Sequence, residues 1–230
     1  MDIHPIAYAK NDFVDKFGIP RQSFQTSTIE TRIVFQPPYN TPDAFREIQH
    51  FSHLWIIWGF SCNQIDHQKF SPTVRPPRLG GNKRVGVFAS RSPFRPNALG
   101  LTSVRLLRVE NTPRNGVELV VLGADLLDNT PIYDIKPYLS FTDAHPQATN
   151  GFAQEVIEYQ LLVQWADDEL RDRIPENVRL QIEEILSQDP RPAYHDEPER
   201  VYKLDFANYK IHFQVQNQIL MVVNVQELNS

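Results

Sequence analysis

Apolar and polar positions follow one rhythm over the first 140 residues and another after them. In the first part the apolar residues form short blocks. Ile29–Gln36 (IETRIVFQ) is β-branched and aromatic, and His53–Phe60 (HLWIIWGF) is a near-continuous apolar run of strand length. Arg84–Ala89, Leu101–Glu110 and Gly116–Ala124 read as three further strands. Between the first two, Thr41–Gln49 predicts a short helix, with Thr41 as cap, Pro42 in first position and Asp43 facing the dipole.

After Pro146 the alternation lengthens. Ile157, Tyr159, Leu161, Val163 and Trp165 predict one long half-buried strand. Pro175 opens a helix whose Val178, Ile182, Ile185 and Leu186 share one face. Tyr209, Ile211, Phe213 and Val215, then Ile219, Met221, Val223 and Val225, predict two strands joined by a turn at Gln216-Asn217. The expected fold class is mainly β. An antiparallel β-barrel over residues 1–146 precedes a small α+β domain over residues 147–230, with the boundary in the polar segment 143–152.

Composition narrows the class. Hydrophobic residues at 41% and charged residues at 22% describe a globular chain. No apolar run reaches membrane-spanning length, the N-terminus lacks the pattern of a signal peptide, and the single cysteine, Cys62, forms no internal disulfide. A cytoplasmic protein without a membrane anchor is expected.

Charge changes the picture more. The total is −5, yet residues 67–109 hold nine basic side chains and no acidic one. Such a segment is a candidate footprint for phosphate, carboxylate or nucleic acid, and equally a solvated basic face balanced by the chain's own acids. Prolines at 76, 77, 93 and 96 stiffen it, so Arg91 and Arg95 stand in a preorganised loop suited to anion recognition.

Several chemistries lack their motifs. There is no phosphate-binding G-x-x-x-x-G-K-[ST] and no G-x-G-x-x-G; Gly80-Gly81 lies between prolines and basic residues. No histidine or cysteine spacing suggests a metal, and Ser92 sits in R-S-P instead of a nucleophile elbow. Asp125 and Asp128 form a carboxylate pair in D-L-L-D, a weak signal when taken alone.

Longer segments carry a resemblance. FGIPRQ at 17–22, PYN at 38–40, FSHLWI at 51–56, TVRPPRLGGN at 73–82, GVFASRSPFRPN at 86–97, ADLLDNTPIYDIKPY at 124–138 and QDPRPAY at 188–194 resemble the TsaA-like family of small β-barrel methyltransferases. The resemblance spans nearly the whole chain. It implies an enzyme that binds S-adenosylmethionine and methylates N6 of threonylcarbamoyladenosine at position 37 of tRNA. Matching the family's cofactor positions implies Pro20, Arg21 and Gln22 on one wall, Arg91 on a second with Leu101 after the Gly100 turn, and Asp125, Leu126, Leu127 and Asp128 on a third. A further family contact aligns with Ser61 and Cys62.

In that frame Asp125 or Asp128 accepts from ribose hydroxyls, Leu126 and Leu127 flank adenine, and Arg91 or Arg21 meets the methionine carboxylate. No catalytic side chain and no metal ligand is assigned. Lys83, Arg84, Arg95 and Arg105 are expected on RNA phosphates, with Tyr133, Tyr138 and Tyr194 as stacking candidates. Arg191, bracketed by prolines, is expected to close over RNA or a partner subunit in a homodimer that reads the anticodon loop. Two rival readings stand beside this one: the same fold acting on another substrate, and a non-catalytic nucleotide- or RNA-binding barrel.

Overall fold

Six antiparallel strands pair edge to edge until the last meets the first. The computed structural model describes residues 2–15, 17–20, 28–61, 70–76, 83–156, 160–191 and 197–228. In chain order the strands of the first part are β1 (Ala7–Lys10), β2 (Glu30–Phe35), β3 (His53–Gly59), the two-residue β4 (Thr73–Val74) and β5 (Val85–Gly86), β6 (Leu99–Thr112), β7 (Gly116–Leu122) and β8 (Pro131–Pro137). The order around the closed ring is β1-β2-β7-β6-β3-β8, while β4 and β5 pair only with each other.

Strand alternation fills the ring. Leu54, Ile56 and Trp58 of β3 and Val104 of β6 point inward with Ile33, Leu119, Val121, Leu126 and Ile132. The odd positions of β6, Leu99, Leu101, Arg105 and Leu107, turn outward.

A short helix α1 (Ser140–Asp143) leads into the second part, which holds β9 (Leu162–Trp165), α2 (Asp168–Asp172), α3 (Glu176–Ser187), β10 (Tyr202–Phe206), β11 (Tyr209–Gln216) and β12 (Ile219–Glu227). Its sheet runs β10-β11-β12-β9, with β9 parallel to β12. Helix α3 buries Ile182, Ile185 and Leu186 against that sheet, and Val178 packs at the edge of the same core.

This second core also recruits Phe13, Phe17, Ile19 and Ile29 from the connection between β1 and β2. Glycine is required at position 18: its φ is left-handed at 97°, and a side chain on it would run into Leu204. The β1–β2 connection is therefore shared between the ring and the second sheet.

Four expected elements differ. Thr41–Gln49 is not an α-helix. It is two 3-10 turns, Pro42–Phe45 and Ile48–His50, separated by Glu47 at a left-handed φ of 68°. The break lets Phe45 turn edge-on to Phe35 at 4.7 Å in the ring core. Arg84–Ala89 shortens to β5 and a 3-10 turn over Val87–Ala89, because Val87 is drawn inward and its N–H donates to the Pro72 carbonyl. Of the long strand from Ile157, Leu162–Trp165 is a strand, Leu161 gives its N–H to the Ser187 carbonyl, and Ile157 and Tyr159 lie outside the described residues. The last hairpin turns at Asn217-Gln218, both left-handed, so Gln216 belongs to β11 and pairs with Ile219.

Candidate functional site

One end of the ring gathers three connections. They are the segment between β1 and β2, the segment from β3 to β6 that carries the basic loop, and the turn between β7 and β8. The strand registers require this, since β1, β3 and β7 all finish at that end while β2, β6 and β8 begin there. Pro20, Arg91 and Asp125, far apart in sequence, come from these three connections.

The turn over residues 124–130 is pinned from several directions. Asn129, at a left-handed φ of 63°, donates its N–H to Ala9, and Ala9 donates to the Thr130 carbonyl. Asn11 is the clasp to the neighbouring connection. Its Nδ2 donates to the Leu126 carbonyl at 2.9 Å and to Thr31 Oγ1 at 3.2 Å, and its Oδ1 accepts from the Phe13 N–H.

The two carboxylates of D-L-L-D divide between two environments. Asp128 Oδ1 accepts from the Asn11 N–H at 3.2 Å, its Oδ2 accepts from Asn129 Nδ2 at 2.7 Å, and its own N–H donates to the Phe13 carbonyl. Its side chain holds the turn. Asp125 is half-buried, and its Oδ1 accepts from Thr102 Oγ1 at 2.6 Å. Burial pushes its carboxyl above the ordinary value, against the opposing pull of the Thr102 hydroxyl, its own backbone N–H and the Arg91 charge. Thr102 in turn accepts from Trp58 Nε1 at 2.8 Å.

The remaining expected cofactor residues are distributed unevenly. Pro20 is buried; Arg21 and Gln22 lie outside the described residues. The Leu126 side chain sits fully inside the ring core and its carbonyl is engaged by Asn11. Leu127 is half-buried, with its carbonyl accepting from the Thr130 N–H. Leu101 points outward from β6, opposite in direction to Thr102, and is 56% exposed. Arg91 is exposed at the rim, close enough for Asp125 to feel its charge. Ser61 is described and Cys62 is not.

Among the expected RNA contacts, Lys83 and Arg84 are exposed near the rim, and Arg84 reaches Thr73 Oγ1 at 3.4 Å. In the same connection Phe70 and Phe88 stack on each other, with ring centroids 6.4 Å apart, and both rings are exposed. Arg95 folds back on its own loop, donating to the carbonyls of Ser90 at 2.9 Å and Ser92 at 3.3 Å. Arg105 is exposed on the outer face of β6, paired with His53 on β3 and with Leu122 on β7. Arg191 is mostly buried, forks onto Asp189 at 2.8 and 2.9 Å and lies over the Tyr202 ring, so its guanidinium is engaged within its own segment. Tyr138 packs on His53 and Trp55, Tyr133 fills the space beside Gly59, and Tyr194 lies outside the described residues.

Trp58, Thr102 and Asn11 were not singled out by sequence. Asn11 had a signal, a polar K-N-D turn directly after a strand. Thr102 sits in an ordinary apolar strand pattern and had none. Among the described residues, no group of three or more His, Cys, Asp or Glu is gathered as a metal site requires. Among the described residues, no helix is long and apolar enough to cross a membrane.

Fold and site together define a mainly β protein whose ring of strands carries, at one end, a half-buried carboxylate within electrostatic reach of an exposed arginine. Two family descriptions match it: the tRNA-methyltransferase O N-terminal domain over residues 8–144, and the TrmO C-terminal domain over residues 156–228. The chain belongs to the TrmO family. It is 38% identical over 218 residues to a tRNA (adenine(37)-N6)-methyltransferase of Escherichia coli, covering 91% of each chain. It is 47% identical over 172 residues to one of the same description from Eikenella corrodens, covering 75% of this chain and 95% of the relative. A crystal structure of TrmO from P. aeruginosa superposes with a TM-score of 0.77 at 30% identity, covering 99% of this chain and 97% of that one.

Proposed function

We propose that the protein is an S-adenosylmethionine-dependent methyltransferase acting on N6 of threonylcarbamoyladenosine at position 37 of tRNA, in the anticodon loop. The observation that carries this reading is the kinship with the Escherichia coli enzyme through both family domains, over 91% of each chain. The ring of strands is read as the family's cofactor-binding β-barrel over residues 1–146, with residues 147–230 as the α+β domain, and the protein as a cytoplasmic homodimer.

The residues present suit the cofactor. A ribose diol needs an acceptor held off from bulk water, and Asp125 is a half-buried carboxylate beside the rim. A carboxylate needs a cation, and Arg91 stands within electrostatic reach of the same place. Adenine needs a face to rest on; Leu127 is available for that, whereas the Leu126 side chain belongs to the core. When bound, S-adenosylmethionine supplies a methyl group already activated as an electrophile. Asp125 would hold its ribose and Arg91 its carboxylate, and the walls of the rim would align donor with acceptor and limit water there.

Exposed Lys83 and Arg84, with the stacked pair Phe70 and Phe88 carried on the same connection, are the groups that best suit a phosphate backbone with an unstacked loop base. Exposed Leu99 and Leu101 on the outer face of β6 suit contact with a second copy. Nucleoside mass spectrometry of tRNA from cells lacking this protein tests the reading. N6-methylated threonylcarbamoyladenosine should disappear and its unmethylated form should rise. Unchanged tRNA favours either another substrate or a non-catalytic binder.

A further inference from the structure

The polarity of the Trp58–Thr102–Asp125 chain is fixed by chemistry. An indole N–H only donates, so Thr102 Oγ1 accepts from Trp58 Nε1 at 2.8 Å. Its single hydroxyl proton is then directed to Asp125 Oδ1 at 2.6 Å, because a carboxylate only accepts. Thr102 is 2% exposed and Trp58 is 8% exposed, so water does not substitute for either link. Trp58 is itself held in place. Phe60 packs edge-on against it at 4.4 Å, and its indole fills the space that a side chain at Gly100 would need.

We propose that Thr102 is a positioning residue for the S-adenosylmethionine site, holding one Asp125 oxygen so that the other is presented to the ribose hydroxyls, with Trp58 setting the direction of its proton. This rests on the reading of the rim as the cofactor site. Hydrogen bonds in series polarise one another, so the link strengthens both the orientation and the charge of the carboxylate. The groups that face Asp125 are Thr102 from β6, Arg91 from the basic loop and its own backbone N–H. Without the hydroxyl, Arg91 and the backbone N–H alone oppose the effect of burial.

The test measures S-adenosylmethionine dissociation constants by calorimetry between pH 5 and 8, with no tRNA present, for wild type, Thr102→Val, Thr102→Ser and Trp58→Phe. Thr102→Val should weaken binding on the order of tenfold at neutral pH. Its affinity should also begin to fall at a higher pH than in wild type as the medium is acidified. Thr102→Ser, which keeps the donor, should bind within about twofold of wild type, and Trp58→Phe should lie between. The indole N–H resonance assigned to Trp58 gives a readout free of cofactor. It should titrate with Asp125 in wild type and not in Thr102→Val. A folded Thr102→Val protein with wild-type affinity, or Thr102→Ser as weak as Thr102→Val, would overturn the inference. A wild-type protein that binds no S-adenosylmethionine would instead overturn the reading on which it rests.

Discussion

Phe13, just beyond β1, packs its ring 5.4 Å from that of Phe206 at the end of β10, tilted by 58°. Both side chains are essentially fully buried in the second core, although Phe13 belongs by sequence to the first part of the chain. The connection that carries the Pro20 wall is thus anchored in the C-terminal sheet, while Asn11 and the Phe13 backbone tie it to the turn bearing Asp125 and Asp128. The second core therefore supports the rim directly.

Phe13→Ala should cost about 3–5 kcal/mol of stability, the usual range for removing a buried phenyl ring. It should also weaken S-adenosylmethionine binding at temperatures where the variant remains folded, because the wall loses its anchor. Thermal melting and calorimetry together check this. Unchanged affinity per folded molecule would mean that the second core does not support the site.

Asp125 and Asp128 should respond in opposite ways. Burial raises the Asp125 carboxyl above its unfolded value, so the stability linked to it is complete only at acid pH and is lost as pH rises through the folded value. At neutral pH a charged Asp125 is a liability, and Asp125→Asn should raise the melting temperature of the free protein. That gain should vanish on acidification, while cofactor affinity falls at least tenfold. Asp128→Ala removes the acceptors of Asn11 and Asn129 and should cost about 1–2 kcal/mol, with affinity per folded molecule unchanged. Denaturation and binding curves at two pH values separate the two residues.

Gly100→Ala places a methyl group where the Trp58 indole lies. Displacing a buried indole by overpacking should cost about 1–3 kcal/mol and break its bond to Thr102. A shift of the Trp58 indole resonance with weakened cofactor binding is the expected outcome of a spectrum and a titration on the same sample.

The arginines of the basic segment should differ in kind. Arg91→Ala should weaken S-adenosylmethionine binding while changing stability by less than about 0.5 kcal/mol, since its side chain is exposed. Arg95→Ala removes the brace across the Ser90 and Ser92 carbonyls, and should loosen the loop that carries Arg91. Susceptibility to limited proteolysis in that loop distinguishes it from Arg91→Ala.

Apolar runs and alternation made β2, β3, β6, β7, β11 and the apolar face of α3 legible; they located β12 but marked Ile219, Met221 and Val223, whereas Leu220 and Val222 are the residues it buries. They did not reveal β1 or β8, whose short or Pro-bounded segments owe their strand conformation to the neighbours that close the ring. The helix expected at Thr41 satisfied local capping rules but lost to the burial of Phe45. At the site, charge counting located Arg91 but not the partners of Arg95 and Arg191, which depend on how each loop folds back on itself. The D-L-L-D motif named both carboxylates without separating them; only their tertiary donors, Thr102 for one and Asn11 for the other, divide their roles.

The most direct measurement of the central claim mixes purified protein, methyl-labelled S-adenosylmethionine and tRNA whose adenosine 37 either carries or lacks the threonylcarbamoyl group. Label should enter only the threonylcarbamoylated tRNA, at N6 of residue 37, with S-adenosylhomocysteine released in equal amount. Label entering another position, or S-adenosylmethionine bound and recovered intact beside that tRNA, would contradict it.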